Sequence, residues 1–293
     1  MTAALFPGFS TFTQDIDGIA IHGVTGGEGP PLLLLHGYPQ THVMWHKVAP
    51  ALARHFTLVI ADLRGYGDSA KPPTDADHTP YSKRAMAADM AGLMTRLGYD
   101  HFAVLAHDRG ARVAHRLALD HASRVSRMVI LDIAPTREMY ANTTKAFATA
   151  YWHWFWLIQP APFPETQINA DPLFYLHKKL GSWGTARTPF APEAMAAYEA
   201  AISNPATVHA MCEDYRAAAS IDIAHDNEGA MITCPIHVLW GSNGVIERCF
   251  DCLALWRERA EIVTGHTLPG GHYLAEELPD MVVAETLTFL GAG

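Results

Sequence analysis

In the stretch AHDRGAR, residues Ala106 to Arg112, a carboxylate stands among small residues with two arginines close behind it. The apolar run HFAVLA precedes it and VAHRLALDH follows, so the chain reads as strand, sharp turn and amphipathic helix. Ala106-His107-Asp108-Arg109-Gly110 fits the pattern small-x-nucleophile-x-Gly, in which a tight turn lifts a nucleophile to the carboxyl end of a strand. Ala106 replaces the usual first glycine. Two more polar residues stand at matching places. VILDIAP puts Asp132 at the end of the next strand, and TLPGGHYL puts His272 in a glycine-rich loop near the C-terminus. In chain order this gives a nucleophile, Asp108, an orienting acid, Asp132, and a general base, His272. Plainer roles exist for each. Asp-Arg-Gly pieces often only make salt bridges, Asp132 also suits a loop cap, and seventeen histidines make any single one unremarkable. Glu247 follows the strand in HVLWGSNGVIE, but no aspartate opens that loop, so Asp132 is the better orienter.

Arg109 and Arg112 lie three apart on the first turn of the helix and share a face. The helix N-terminus adds positive potential there. Two guanidiniums suit a substrate carboxylate, which they would hold beside Asp108. The alternative is pairing with acids inside the protein. For Arg116 that alternative has a ready partner in Asp120, four residues on.

These residues need a sheet to carry them. Strand-like runs occur at IAIHGV, PLLLLHG, FTLVIAD, HFAVLAH, RMVILDI and IHVLWG, several of them continuously apolar, as in parallel sheets buried on both faces. Helical patterns alternate with them in SKRAMAADMAGLMTRLG, GARVAHRLALDH and DMVVAETLTFL. The order predicts an α/β fold with a mostly parallel central sheet. Between Ile133 and about Ile232 the alternation stops. That segment is rich in aromatic residues, Pro and Ala, with helix-like pieces such as TPFAPEAMAAYEAAIS. We expect a core of residues 1–134 and 232–293 and an inserted helical cap of residues 135–231.

Bulk properties narrow the classes. The chain of 293 residues is 49% hydrophobic and 17% charged, ordinary for a folded soluble protein. It has no uninterrupted apolar stretch of membrane-spanning length, and MTAALFPGFSTF lacks the basic start and apolar length of a signal peptide. A cytoplasmic protein without membrane partners is expected. Four cysteines do not suit a disulfide framework. Cys249 and Cys252 form a CxxC without a second pair at zinc spacing, and read as reduced thiols in a helix. A net charge of −9 argues against nucleic acid as a partner.

Over nearly its whole length the sequence resembles the fluoroacetate dehalogenases of the α/β-hydrolase superfamily. The resemblance is carried by HGYPQTHVMWHKVAP, ADLRGYGDSAKP, AHDRGARVAHRLALDH, LDIAPT, YWHWFWLIQPAPFPE, MCEDYRA and PGGHYL. It departs from haloalkane dehalogenases and epoxide hydrolases of this fold, whose elbow is typically Asp-Trp-Gly. It implies hydrolysis of a haloacetate to glycolate and halide, with a small anionic haloacid as substrate. Serine displacing halide from an sp3 carbon would leave an ether, which resists water; a carboxylate leaves an ester, which water can cleave. Asp108 would therefore form a covalent ester, and His272 would activate water to hydrolyse it. Backbone N–H groups of Tyr38 and Arg109 are the expected oxyanion donors, each worth roughly 2.7–4 kcal/mol. The resemblance also assigns the departing halide to His153, Trp154 and Tyr215, whose ring N–H and O–H groups are compact donors. His107 and Trp183 are candidates for pocket lining. Tyr151, Trp152, Phe155 and Trp156 suit cap packing. No metal and no organic cofactor are called for, and a homodimer is implied. The rival readings are an epoxide hydrolase with the same Asp-His-Asp set, in which paired arginines have no clear task, and a catalytically silent ligand receptor.

Overall fold

The apolar runs form strands of one eight-stranded sheet in the computed structural model, which describes residues 2–184 and 189–292. The strands are β1 (Ser10–Ile16), β2 (Ile19–Gly26), β3 (Pro31–Leu35), β4 (Thr57–Ala61), β5 (Phe102–His107), β6 (Val125–Leu131), β7 (Ile236–Gly241) and β8 (Val263–Leu268). Their spatial order is β1-β2-β4-β3-β5-β6-β7-β8. The first two pairings, β1 with β2 and β2 with β4, are antiparallel, and all the others are parallel. Leu32 to Leu35 on β3 and Val104 to Ala106 on β5 are completely buried, as strands covered by helices on both faces must be.

Two strands were not among the six apolar runs, and both are edges. β1, STFTQDI, alternates exposed and buried residues, and β8, VTGHTL, buries only Leu268 fully. An edge strand covers less apolar surface, so its sequence carries a weaker hydrophobic signal.

Helix α1 (Lys83–Arg96) packs against α2 (Asp108–Asp120). α2 begins at Asp108 itself, two residues before the apolar pattern becomes visible. Gly110 permits its close approach to β3: a β-carbon there would meet the His36 carbonyl oxygen at 2.4 Å and that of Leu35 at 2.5 Å. The Gly110 N–H instead donates to the His36 carbonyl at 2.8 Å.

Between β6 and β7 the described residues form eight helices and no strand. Among them are α3 (His153–Trp156) and α4 (Pro205–Ala219). TPFAPEAMAAYEAAIS yields the helix Pro192–Ile202; Thr188, at its head, lies outside the described residues. The chain closes with α5 (Pro279–Leu290). The CxxC does not lie in one helix. Cys249 ends the helix Val245–Cys249 and Cys252 begins the next, Cys252–Arg257, both as free thiols. No helix among the described residues is long and apolar enough to cross a membrane.

Candidate active site

Asp108, Asp132 and His272 come together at the carboxyl ends of β5 and β6. Each is nearly or fully buried. Asp108 has φ +46° and Asp132 φ +51°, a region non-glycine residues seldom occupy and one that often marks functional sites. The elbow is held from the facing loop. Tyr38 N–H donates to Asp108 Oδ1 at 2.8 Å, and Gly37 leaves the necessary room, since a β-carbon there would sit 2.4 Å from Asp108 Cβ. The other oxygen, Oδ2, lies 3.9 Å from His272 Nε2. On its far side, His272 Nδ1 donates to Asp132 Oδ2 at 2.6 Å, while Asp132 Oδ1 accepts the Gly241 N–H at 2.9 Å. Both oxygens of Asp132 are thereby fixed. Glu247 is engaged elsewhere, accepting from Trp240 Nε1 at 2.5 Å.

The electrostatics follow from these contacts. Burial alone would raise the Asp108 carboxyl, but His272 and the two arginines hold it below the usual carboxylate value. Burial alone would lower the His272 imidazolium. The bond to Asp132 and the charge of Asp108 outweigh that and raise it. These directions favour the Asp108 carboxylate, and they favour a proton on His272, which has a carboxylate on either side.

His107 stands beside His272, their ring centroids 4.6 Å apart. Burial pushes its imidazole down to about 3, and its Nε2–H donates to the His272 carbonyl at 2.8 Å. It ties the end of β5 to the histidine loop. Trp183 holds the same loop from the other side, its carbonyl accepting the His272 N–H at 2.9 Å. The Trp183 ring stands 5.3 Å from His272 and 4.6 Å from His153, and lines a cavity of about 480 Å³ with Tyr151, Lys178, Arg248 and His272.

The arginines divide their nitrogens. Arg109 donates Nε and Nη2 to the Asp214 carboxylate at 2.8 and 2.7 Å, and Nη2 also to the Asp214 carbonyl at 2.9 Å. Internal pairing therefore takes two of its nitrogens, but Nη1 is buried without a partner. Arg112 has only neutral partners: Nη1 donates to the Ala134 carbonyl at 3.1 Å and Thr136 Oγ1 at 2.8 Å, Nη2 faces Met139 Sδ, and Nε is unpartnered. Burial, then the neighbouring Arg109, lower the pKa of Arg112. A buried cation beside another cation is a natural position for an anion. Arg116 is spent as expected, on Asp120 and Glu228.

His153, Trp154 and Tyr215 arrive from α3 and α4. Their rings form one cluster, with His153 to Tyr215 at 5.4 Å and Trp154 to Tyr215 at 6.4 Å. The Arg109 guanidinium lies 4.2 Å over the Tyr215 ring and that of Arg112 lies 4.6 Å over Trp154. His153 Nδ1, Trp154 Nε1 and Tyr215 OH are all buried without a hydrogen-bond partner.

Two residues were missed by sequence reasoning. Asp214, next to Tyr215 in CEDY, also accepts from Tyr66 OH at 2.6 Å and pairs with Lys83. Its only signal was an acid inside an otherwise apolar helix face. Lys179, which has no local signal apart from its charge, is fully buried, with Nζ 3.9 Å from the Trp183 ring and 4.4 Å from that of Trp152. Burial pushes it down to about 6.

The α/β hydrolase fold family matches residues 30–244. The chain belongs to this family. Among relatives of this α/β hydrolase is a fluoroacetate dehalogenase of Burkholderia sp, 44% identical, the match covering 94% of this chain and 92% of that one. A soluble epoxide hydrolase of Corynebacterium sp. (strain C12) is 34% identical, covering 94% of each. The crystal structure of ALR0039 from Nostoc sp PCC 7120 is 55% identical with a TM-score of 0.95, covering 96% of this chain and 98% of that one.

Proposed function

We propose that this α/β hydrolase is a haloacetate dehalogenase. One observation carries the reading: Arg109 Nη1, Arg112 Nε, Trp154 Nε1 and Tyr215 OH are buried donors without partners, gathered about Asp108. Each buried donor left unmade costs about 1–3 kcal/mol. Such a cluster of donors suits anions, and a haloacetate in reaction presents two, its carboxylate and the departing halide. The 44% identity to a fluoroacetate dehalogenase supports the same substrate class.

In this reading Arg109 and Arg112 hold the carboxylate, and Asp108 Oδ2 attacks the α-carbon in line with the halogen. His153, Trp154 and Tyr215 receive the halide as its charge develops. The product is an ester on Asp108 whose carbonyl oxygen is Oδ1, already facing Tyr38 N–H; the Arg109 N–H is its second donor. His272 Nε2 takes a proton from water, which adds to that carbonyl carbon. Collapse breaks the bond from that carbon to Oδ2, His272 returns its proton to the departing oxygen, and glycolate leaves with Asp108 restored, the water oxygen now in its carboxylate. Residues 135–231 act as the cap that excludes bulk water from the core of 1–134 and 232–293.

The epoxide hydrolase reading is supported by the 34% relative. It leaves the Arg112 Nε and Arg109 Nη1 donors without a task. Purified protein should be offered fluoroacetate, chloroacetate, bromoacetate and a panel of neutral epoxides under identical conditions. Halide release without diol formation is expected. Diol formation with no halide from any haloacetate would replace the proposal by its rival, and inactivity on both panels would favour a ligand receptor.

A further inference from the structure

We propose that His237, His266 and Glu285 bind one zinc-type divalent cation at the end of the sheet away from Asp108. His237 is the second residue of β7, whose last residue, Gly241, serves Asp132; the two positions are therefore at opposite ends of one strand. In the register of β7 with β8, His237 faces Thr264, so His266, two residues further along, projects from the same face. Glu285 reaches that face from α5.

The three side chains offer one ligand atom each, all within 4.8 Å of one another. His237 Nε2 lies 3.4 Å from Glu285 Oε2, and His266 Nε2 lies 3.2 Å from Glu285 Oε1. Bonds of about 2.0–2.1 Å to a tetrahedral ion place its ligands about 3.4 Å apart, so little movement is needed.

A second observation concerns His237 alone. It is only 9% exposed, and its buried Nε2 has no contact closer than the 3.4 Å approach to Glu285 Oε2. The other nitrogen, Nδ1, is 2.8 Å from Thr264 Oγ1, whose own hydroxyl is directed to the Ile236 carbonyl at 3.4 Å. A cation on Nε2 requires the ring proton on Nδ1, and Thr264 Oγ1 is placed to accept it. A ring nitrogen fixed by a hydrogen bond on its far side is the usual support of a metal-binding histidine. Phe289, stacked on the ring at 5.1 Å, holds its plane.

A second cluster gives the contrast. Glu165, His209 and Glu213 are equally close, but Arg216 Nη1 sits between the two carboxylates at 2.6 and 2.7 Å and fills the space a cation would take. No arginine or lysine pairs with Glu285 among the described ion pairs. Two imidazoles and one carboxylate favour zinc over magnesium or calcium and leave a position for water. The half-exposed His266 gives the ion its way in. Once bound, the ion would join edge strand β8 to the last helix.

Chelator-treated full-length protein should be titrated with zinc chloride by calorimetry, alongside His266→Gln and Glu285→Gln. One ion per chain is expected, with micromolar or tighter affinity. Each variant should bind at least about tenfold more weakly. Zinc should raise the wild-type melting temperature by about 2–4 °C and leave both variants unmoved. Circular dichroism verifies that the variants fold. Wild-type binding weaker than about 100 µM overturns the proposal. So does equal binding by both variants, which would place the ion elsewhere, or loss in only one, which would break the three-ligand set.

Discussion

Asp214 occupies two nitrogens of Arg109 and leaves the third, Nη1, buried without a partner. A carboxylate from the helical segment thus orients a guanidinium on the helix that begins at Asp108. Lys83 and Tyr66 reach the same carboxylate, so four side chains share one buried charge centre. Those cations hold Asp214 far below the usual carboxylate value despite its burial.

Asp214→Asn should therefore damage both stability and substrate binding. Removing one partner of a buried charge cluster costs about 3–5 kcal/mol, because the remaining charges lose their counterion. Urea unfolding reads the first effect. A raised KM for haloacetate, from an Arg109 no longer held in place, reads the second. Unchanged values of both would show that Asp214 does not position Arg109.

His272→Asn should trap the ester, since displacement does not require the base and hydrolysis does. Mass spectrometry after incubation with bromoacetate should find a carboxymethyl group on Asp108. Full turnover by this variant would remove His272 from its role.

Arg112 makes no ion pair that would be left stranded, so Arg112→Leu tests substrate recognition without breaking a buried salt bridge. Loss of a charged contact is worth about 1.5–3 kcal/mol, or roughly tenfold to over a hundredfold in kcat/KM. Efficiency equal to wild type toward fluoroacetate would contradict the carboxylate clamp.

Trp154→Phe removes the indole N–H, and Tyr215→Phe removes only a hydroxyl. Fluoride concentrates its charge on a small ion and depends on short hydrogen bonds, whereas bromide is polarisable and leaves readily. Each donor should be worth roughly 2–4 kcal/mol for defluorination, by analogy with oxyanion donors, and less for debromination. Single-turnover alkylation with both substrates measures this. Equal slowing would detach the two residues from the halide.

Glu276 gives a test by pH. Burial raises its carboxyl from 4.5 to about 7, with Tyr198 OH donating to Oε1 at 2.7 Å and Lys47 Nζ 3.5 Å from Oε2. Between these values the folded state holds the proton and the unfolded state does not, so stability falls as pH rises through the window. Above it the full cost of the buried carboxylate is present, on the order of 3 kcal/mol. Glu276→Gln should gain on wild type from pH 5 to pH 8. A difference that stays constant across that range would mean that Glu276 does not titrate there.

The sequence by itself determined the chain order of Asp108, Asp132 and His272, the buried parallel strands that carry them, and a helical segment between β6 and β7 in which the described residues form no strand. Those signals are local: apolar runs, small residues at a sharp turn, a Pro-Gly-Gly loop. It missed the two edge strands because half of each faces outward, and it began α2 two residues late because Asp108 and Arg109 carry no apolar pattern. Which nitrogens of Arg109 are spent and which are free was decided only in three dimensions, by an acid 105 residues away. The same holds for His107, whose partner is a backbone carbonyl 165 residues on, and for Lys179, buried against Trp152 and Trp183. Side-chain type states what a residue can donate or accept. Whether a partner or an empty place lies within hydrogen-bond reach depends on how distant segments pack, and no local pattern encodes that.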